Sequence, residues 1–359
     1  MVAGLATWEA YEARFLELAA KNHYLESDAR TCLRYAKRLH VQGLPPIYDV
    51  RHLSLLVGYD EDFLLGCAYA SERFYRRFSV PKRSGGERII DEPLPSLKEI
   101  QRWLLDAVIG RVPVSRYAKG FVRGRNTREN ARFHRAQPLV LSLDIRNFFP
   151  SIKRPRIYGI FRSLGYAQPV SQILARVCTL NDALPQGAPT SPALSNLFVR
   201  HMDNRLGGFA RSQNLRYTRY ADDLTFSGSL RPGQVIRFVR GVLATQGLAL
   251  NDEKTRAMQP HQRQEVTGIV VNQHLDLPRE IRRELRKTMH YINRFGVGSH
   301  LQHVGEQRAN FLLHLHGLLS LALHLNPTRG ELRTAAEQVK RLILASQGAA
   351  ADDLEETDG

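Results

Sequence analysis

Cysteine is scarce in this chain. Cys32, Cys67 and Cys178 are the only three in 359 residues. They stand far apart, with no CxxC pair and no Cys/His spacing suited to zinc. The odd count argues against a disulfide framework and fits a reducing, cytoplasmic setting. Long apolar runs are missing as well. The most apolar stretch, Phe311 to Leu325, is interrupted by His314, His316, Ser320 and His324. It is too short and too polar to span a bilayer and reads as a buried helix, so no membrane partner is expected. The N-terminus lacks a basic segment followed by an apolar core, which argues against a secretory signal. No repeat recurs at a fixed period, which excludes a solenoid. Acids are in the minority.

What is present is basic charge. Lys and Arg number 51 against 35 Asp and Glu, a formal net charge of +16. That excess points to a polyanionic partner. The C-terminus runs the other way: AADDLEETDG holds five acids and no base, so 349–359 reads as an acidic, disordered tail. Hydrophobic residues make up 43%, enough for a substantial core, and the length suggests two or three domains.

Residues 1–70 read as helical, with Trp8, Tyr11, Phe15 and Leu18 at helical spacing. Ser96-Leu97-Lys98-Glu99, after Pro95, has the form of a capping box. Leu139 to Ile145 reads as a buried strand. LRYTRY and LTFSG read as two strands flanking Ala221-Asp222-Asp223, and Val266 to Val271 as another strand. After Pro278 the pattern turns helical, with an apolar stripe of Ile281, Leu285, Met289 and Ile292 beside a basic stripe of Arg282, Arg286, His290 and Arg294. His303, His314, His316 and His324 lack accompanying acids or cysteines and read as packing residues, not a metal site.

The chemistry lies in carboxylates at strand ends. Asp144 closes an apolar strand, and Asp222 and Asp223 sit in a strand–turn–strand. Acids beside buried strands are costly unless paired, hydrogen-bonded or metal-bound. If the strands are neighbours, Asp144 and Asp222 converge. Two magnesium ions about 4 Å apart can then be bridged by them, activating a 3′-hydroxyl and stabilising departing pyrophosphate. Asp222-Asp223 alone reads equally well as a plain β-turn.

Taken together, the motifs resemble reverse transcriptases. Tyr220-Ala221-Asp222-Asp223 resembles their YxDD box, Asp144 matches the first palm aspartate, and Leu184 to Leu197, LPQGAPTSPALSNL, looks like their QGxxxSP motif. The order along the chain is the polymerase order, and the matches run from about residue 74 to 272. The resemblance implies an α+β right-hand polymerase: a helical N-terminal region (1–70), fingers (71–140), a palm with an antiparallel sheet (141–275) and a helical, RNA-binding thumb (276–348). It implies RNA-directed DNA synthesis with two Mg²⁺ ions, Mn²⁺ being a substitute, held by Asp144, Asp222 and Asp223.

The same resemblance implies roles for further residues. Lys82, Arg83 and Arg88, around a Gly-Gly turn, suit a fingers hairpin gripping the dNTP triphosphate; they also read as a solvated basic turn. Phe149, five residues after Asp144, matches the aromatic that excludes a 2′-hydroxyl, and implies deoxynucleotide substrates. Either Phe148 or Phe149 is also expected to be plain core. Gln186 touches the incoming nucleotide, and Gly187 permits close backbone approach. Lys254 matches a lysine that protonates or neutralises pyrophosphate, although a surface lysine is the commoner case.

Two stretches narrow the family. Asn130-Ala131-Arg132-Phe133-His134 fits the NAxxH element of bacterial retron reverse transcriptases, and VTGIVVN, Val266 to Asn272, fits their VTG element. This implies a structured noncoding RNA as template and primer, partly copied into single-stranded DNA (msDNA) from a 2′-hydroxyl, with an antiphage role and a separate effector protein. Asn130, His134, Arg282, Arg286 and Arg294 are then RNA-binding candidates. Asn130 and His134 also read as a helix-surface pair, and the arginines as a solvated face. Two other readings stay open: a group II intron-like, diversity-generating or abortive-infection enzyme, and an RNA–protein scaffold restraining a toxic effector.

Overall fold

The structure is a computed structural model that describes residues 7–81, 85–305, 308 and 310–355, with side chains through residue 345. The N-terminal region is helical: α1 (Trp8–Lys21), α2 (Glu26–Val41), α3 (Val50–Val57) and α4 (Glu61–Tyr69). Helix α2 buries Ala29, Leu33, Ala36 and Leu39, the one-faced spacing of an amphipathic helix. Helix α3 is started by Asp49, whose carboxylate accepts from His52 N, and stopped by Gly58 in the left-handed region.

The fingers hairpin pairs β1 (Tyr75–Pro81) with β2 (Glu87–Pro93), from Tyr75↔Pro93 to Pro81↔Glu87. Helix α5 (Pro95–Ala107) follows. The expected capping box does not form: Leu94 is the N-cap and makes no side-chain cap. Pro95, whose fixed φ suits the first helical position, starts the helix one residue before Ser96. Glu99 instead accepts from the Tyr59 hydroxyl at 2.7 Å.

The palm follows. Helix α6 (Thr127–Phe133) precedes β3 (Val140–Ile145), then come α7 (Phe148–Ser151), α8 (Arg154–Ser163), α9 (Gln168–Val177), α10 (Ser191–Phe198) and α11 (Arg200–Ser212). Strands β4 (Arg216–Tyr220) and β5 (Asp223–Ser227), α12 (Pro232–Ala244) and β6 (Leu250–Met258) complete it. The sheet order is β4-β5-β3-β6, all antiparallel. Helices α11 and α12 pack on β4 and β6 respectively.

The VTG segment is not the single strand expected. It is a hairpin of β7 (Glu265–Val266) and β8 (Ile269–Val270). Its two turn residues, Thr267 and Gly268, both have positive φ, 49° and 78°, the geometry that lets a two-residue turn follow the strand twist. The turn chemistry of Thr-Gly outweighed the apolar run.

The C-terminal region consists of α13 (Arg279–Val304), α14 (Phe311–Leu325) and α15 (Gly330–Glu355). Leu285, Met289, Ile292, Leu315, Leu319 and Val339 form a second core that also takes in Val266, Ile269 and Val271 of the small hairpin. The main core joins the N-terminal helices, fingers and palm. Helix α14 is half-buried, not buried all round: Leu315, Leu319, Ala322 and Leu325 face inward, while His314 and His324 are exposed. Among the described residues no helix is long and apolar enough to cross a membrane. Helix α15 runs to Glu355, into the stretch expected to be a disordered tail, through alanine-rich sequence of high helix propensity. Residues 356–359 lie outside the described residues.

Leu319 is 1% exposed at the centre of the second core. Leu319→Ala is expected to remove about 2–5 kcal/mol of packing there. Limited proteolysis should then cut the C-terminal helices well before the palm.

Candidate active site

Strand pairing brings the acids together. Asp144 lies opposite Asp223 across β3 and β5. Tyr220 pairs with Asp223 across β4 and β5, so Ala221 and Asp222 form a two-residue turn. Ala221 sits at φ 56°, a costly conformation for a residue with a Cβ. Ile145 N donates to Asp222 O at 3.0 Å, and Arg219 Nη1 donates to Ala221 O at 3.0 Å. A Cβ at Gly120 would lie 2.7 Å from Ala221 N, so only glycine allows segment 117–120 to close on the turn.

The three carboxylates repel one another. Asp144 is 5% exposed. Burial, then the charge of Asp144, raises the carboxyl of Asp222 above its ordinary range. Burial, then Asp222 and Asp144, pushes Asp223 up to about 7. Lys254 on β6 answers this charge: its Nζ donates to Asp144 Oδ2 at 2.8 Å, and that bond raises the lysine's own pKa. Asp144, Asp223 and Lys254 line one wall of a cleft of about 210 Å³, continued by Arg256 and the Thr267–Gly268 turn.

Among the described residues no three acid, histidine or cysteine side chains form a closed metal cage. An open set of hard oxygen donors, two of them with pKa raised by burial and by each other's charge, fits an ion held by one or two carboxylates and completed by substrate phosphates.

Arg88 lies on the fingers hairpin and is exposed, yet its charge is felt at Asp222, where it lowers the carboxyl pKa. Lys82 and Arg83 lie outside the described residues. Gln186 O accepts from Asp91 N of β2 at 2.9 Å. Gly187, at φ 138°, has no room for a Cβ, which would lie 2.6 Å from Asp91 O. The glycine therefore serves the contact between fingers and palm. Phe148 is buried at 4% exposure. Phe149 is half-buried, its ring 6.2 Å from Phe121.

Two of the expected RNA contacts lie in the interior. Asn130 and His134 are both 0% exposed. Thr218 Oγ1 donates to Asn130 Oδ1 at 2.6 Å and lies 2.8 Å from His134 Nε2, while Ser227 Oγ lies 2.7 Å from His134 Nδ1. With its hydrogen spent on Asn130, Thr218 must accept from Nε2–H, which leaves Nδ1 to accept from Ser227. Burial holds this neutral ring's pKa down to about 3. The pair ties α6 to the sheet and cannot reach a nucleic acid; buried polar groups need such partners. Arg282 is half-buried and ion-paired to Asp276 Oδ2 at 2.9 Å. Arg286, His290 and Arg294 remain exposed.

Sequence reasoning missed the support beneath the turn. Arg219 and Asp203 are both fully buried. Arg219 Nε and Nη2 donate to the two Asp203 oxygens at 2.9 and 2.8 Å, and Nη2 also donates to Asn196 Oδ1 at 2.9 Å. Asn196 Nδ2 in turn donates to Gly120 O at 3.1 Å. The available signal was an arginine inside a strand otherwise expected to be buried, which demands an acid partner.

Comparison with known proteins agrees with this geometry. The profile of the family described as reverse transcriptase (RNA-dependent DNA polymerase) matches residues 80–274. The chain belongs to the reverse transcriptase family. Its curated relatives include the retron Mx65 reverse transcriptase of Myxococcus xanthus, 40% identical over 281 residues, which cover 72% of this chain and 63% of that protein. The retron Ec86 reverse transcriptase of Escherichia coli is 34% identical, covering 74% and 85%. The retron Mx162 reverse transcriptase of Myxococcus xanthus is 32% identical, covering 79% and 67%. The match therefore spans a little under two thirds of the Mx65 protein. Within that family the chain groups with the retron reverse transcriptases, and members of the reverse transcriptase family use divalent metal ions.

For this reverse transcriptase two outcomes follow from the buried charges. The folded state raises Asp223 above its ordinary value of 3.8, so the stability it contributes is complete below about pH 4 and is lost as pH rises through about 7. Metal-free protein should therefore lose Tm between about pH 4 and 7, and Asp223→Asn should flatten that slope. A Tm that does not change over this range would contradict the crowding. Arg219→Met should cost about 3–5 kcal/mol in urea unfolding, because Asp203 is left buried and unpaired. Arg219→Met/Asp203→Leu should recover most of that stability, because no buried charge is then left without its partner.

Proposed function

We propose that this protein is a retron polymerase that copies part of a structured noncoding RNA into single-stranded DNA, primed from a 2′-hydroxyl of that RNA. The observation that carries the reading is the convergence of Asp144, Asp222 and Asp223 with Lys254 at one end of the palm sheet, facing the fingers hairpin. Asp144 and Asp222 are the pair that holds two Mg²⁺ ions, with Asp223 as a supporting acid. Ions held by these residues would supply acidity to the attacking hydroxyl and offset charge on the departing pyrophosphate.

The chain's own residues do the rest. Arg88, with Lys82 and Arg83, holds the triphosphate of a dNTP. Phe149 lies beneath the sugar and leaves no space for a 2′-hydroxyl, while Gln186 contacts the nucleotide from the loop that β2 braces. Lys254 keeps its proton because Asp144 stabilises the cation, so it can neutralise pyrophosphate or donate to it. Arg286 and Arg294, exposed on α13, lie along the RNA backbone, a contact that weakens with salt. The site belongs to a cytoplasmic antiphage system whose effector is a separate polypeptide.

The test is expression with the native flanking DNA, followed by denaturing gels of total nucleic acid with and without RNase and a debranching enzyme. A discrete single-stranded DNA that shifts on treatment and vanishes in Asp222→Ala/Asp223→Ala is expected. Its absence, with activity retained on poly(rA)/oligo(dT), would leave a reverse transcriptase of another lineage. Silence in both assays would overturn the catalytic reading and favour a scaffold.

A further inference from the structure

Helix α13 does not run straight to its end. Gly296 sits at φ 79° and ψ 167° inside it, a region open essentially to glycine alone. No atom lies within 4 Å of where its Cβ would be, so the constraint is the backbone and not crowding. In an unbroken helix, residues nine and twelve apart stand roughly 13 and 18 Å apart along the axis. Here the rings of His300 and His303 lie 6.1 and 6.2 Å from that of Tyr291, within 23° of parallel. The helix therefore reverses at Gly296 and lays its last turns against Tyr291.

The result is a cluster of rings with cations over it. Phe295 stacks on Tyr291 at 5.9 Å and is 52% exposed. Lys287 Nζ lies 5.8 Å from the Tyr291 ring, and the Arg294 guanidinium 5.4 Å from the Phe295 ring. His300 closes the inner side against Phe311, almost wholly buried and with Nδ1 unpartnered. From Leu285 to Gly330 the sequence holds one acid, Glu306, against five Lys or Arg and six His. An exposed ring, Phe295, backed by Tyr291 and flanked by cations in a segment almost free of acid, suits a stacked base joined to a phosphate.

We propose that this folded-back end of α13 is a platform on which one unpaired base of the bound RNA stacks, beside the backbone contacts of Arg286 and Arg294. The inference rests on reading the thumb as RNA-binding, and it names what the thumb reads: a loop or bulge and not a continuous duplex. In an A-form duplex the bases remain stacked on each other, whereas a loop can splay one out onto an aromatic side chain.

The experiment is fluorescence anisotropy of the full chain with two RNA probes, a hairpin with an unpaired adenine loop and a blunt duplex of the same stem. Phe295→Leu, Tyr291→Leu and Gly296→Ala are each expected to weaken hairpin binding roughly tenfold. Duplex binding and the salt dependence should stay unchanged. 2-Aminopurine in the loop should be quenched by the unaltered chain and not by Phe295→Leu. Circular dichroism establishes that each variant is folded. Arg286→Ala/Arg294→Ala should weaken both probes and flatten the salt dependence. Equal losses on both probes in Phe295→Leu and Tyr291→Leu, or no loss on either, would overturn the platform while leaving RNA binding intact. If the unaltered chain binds neither probe, the RNA reading of the thumb falls, and the platform with it.

Discussion

The active end of this molecule depends on one buried ion pair. Burying a guanidinium and a carboxylate costs several kcal/mol per ion unless every donor is met. Here Arg219 meets Asp203 with two parallel bonds, then Asn196 and the carbonyl of Ala221. It thus joins α10, α11, β4 and the acidic turn at one point with no solvent between them. The positive φ of Ala221 persists because its carbonyl is held from below and Gly120 closes on it from the side. Asp222, the next residue in the turn, is held by the same arrangement and by Ile145 N, which donates to its carbonyl.

Much of this was legible in the sequence, for identifiable reasons. The palm strands announce themselves because β3 is almost continuously apolar and the β4–β5 pair flanks a short acidic turn; both are local patterns. The convergence of Asp144 with Asp222 and Asp223 follows once the strands are neighbours, although their adjacency was a conditional and not a reading. What failed was non-local. A seven-residue helix such as α6 shows too little periodicity to reveal which side is buried, so Asn130 and His134 looked available when they were structural. Arg282 belonged to a clear basic stripe, yet its partner Asp276 lies outside the helix and outside any helical pattern. The reversal at Gly296 rests on a single backbone dihedral, which no spacing of side chains announces.

Charge is distributed by function and not evenly. The palm concentrates three acids in a cleft where burial raises the pKa of two of them. The fingers and thumb on either side are basic. Lys254 bridges the two regimes, close enough to Asp144 to offset its charge and 58% exposed at its side chain, so it remains free to leave. The acids crowd one another where burial is greatest, and the basic residues stand around them.

The division into two cores has a consequence for how the protein comes into being. The main core closes on residues 39–250, so fingers and palm can condense while the C-terminal third is still being synthesised. The second core needs Leu315, Leu319 and Val339 to meet a hairpin laid down some fifty residues earlier. Its long-range contacts must wait for the loop between them to close. Nascent chains therefore acquire the chemical end first and the grip last. A ribosome stalled near the C-terminus would present the packed main core with the Thr267–Gly268 wall of the cleft still unsupported.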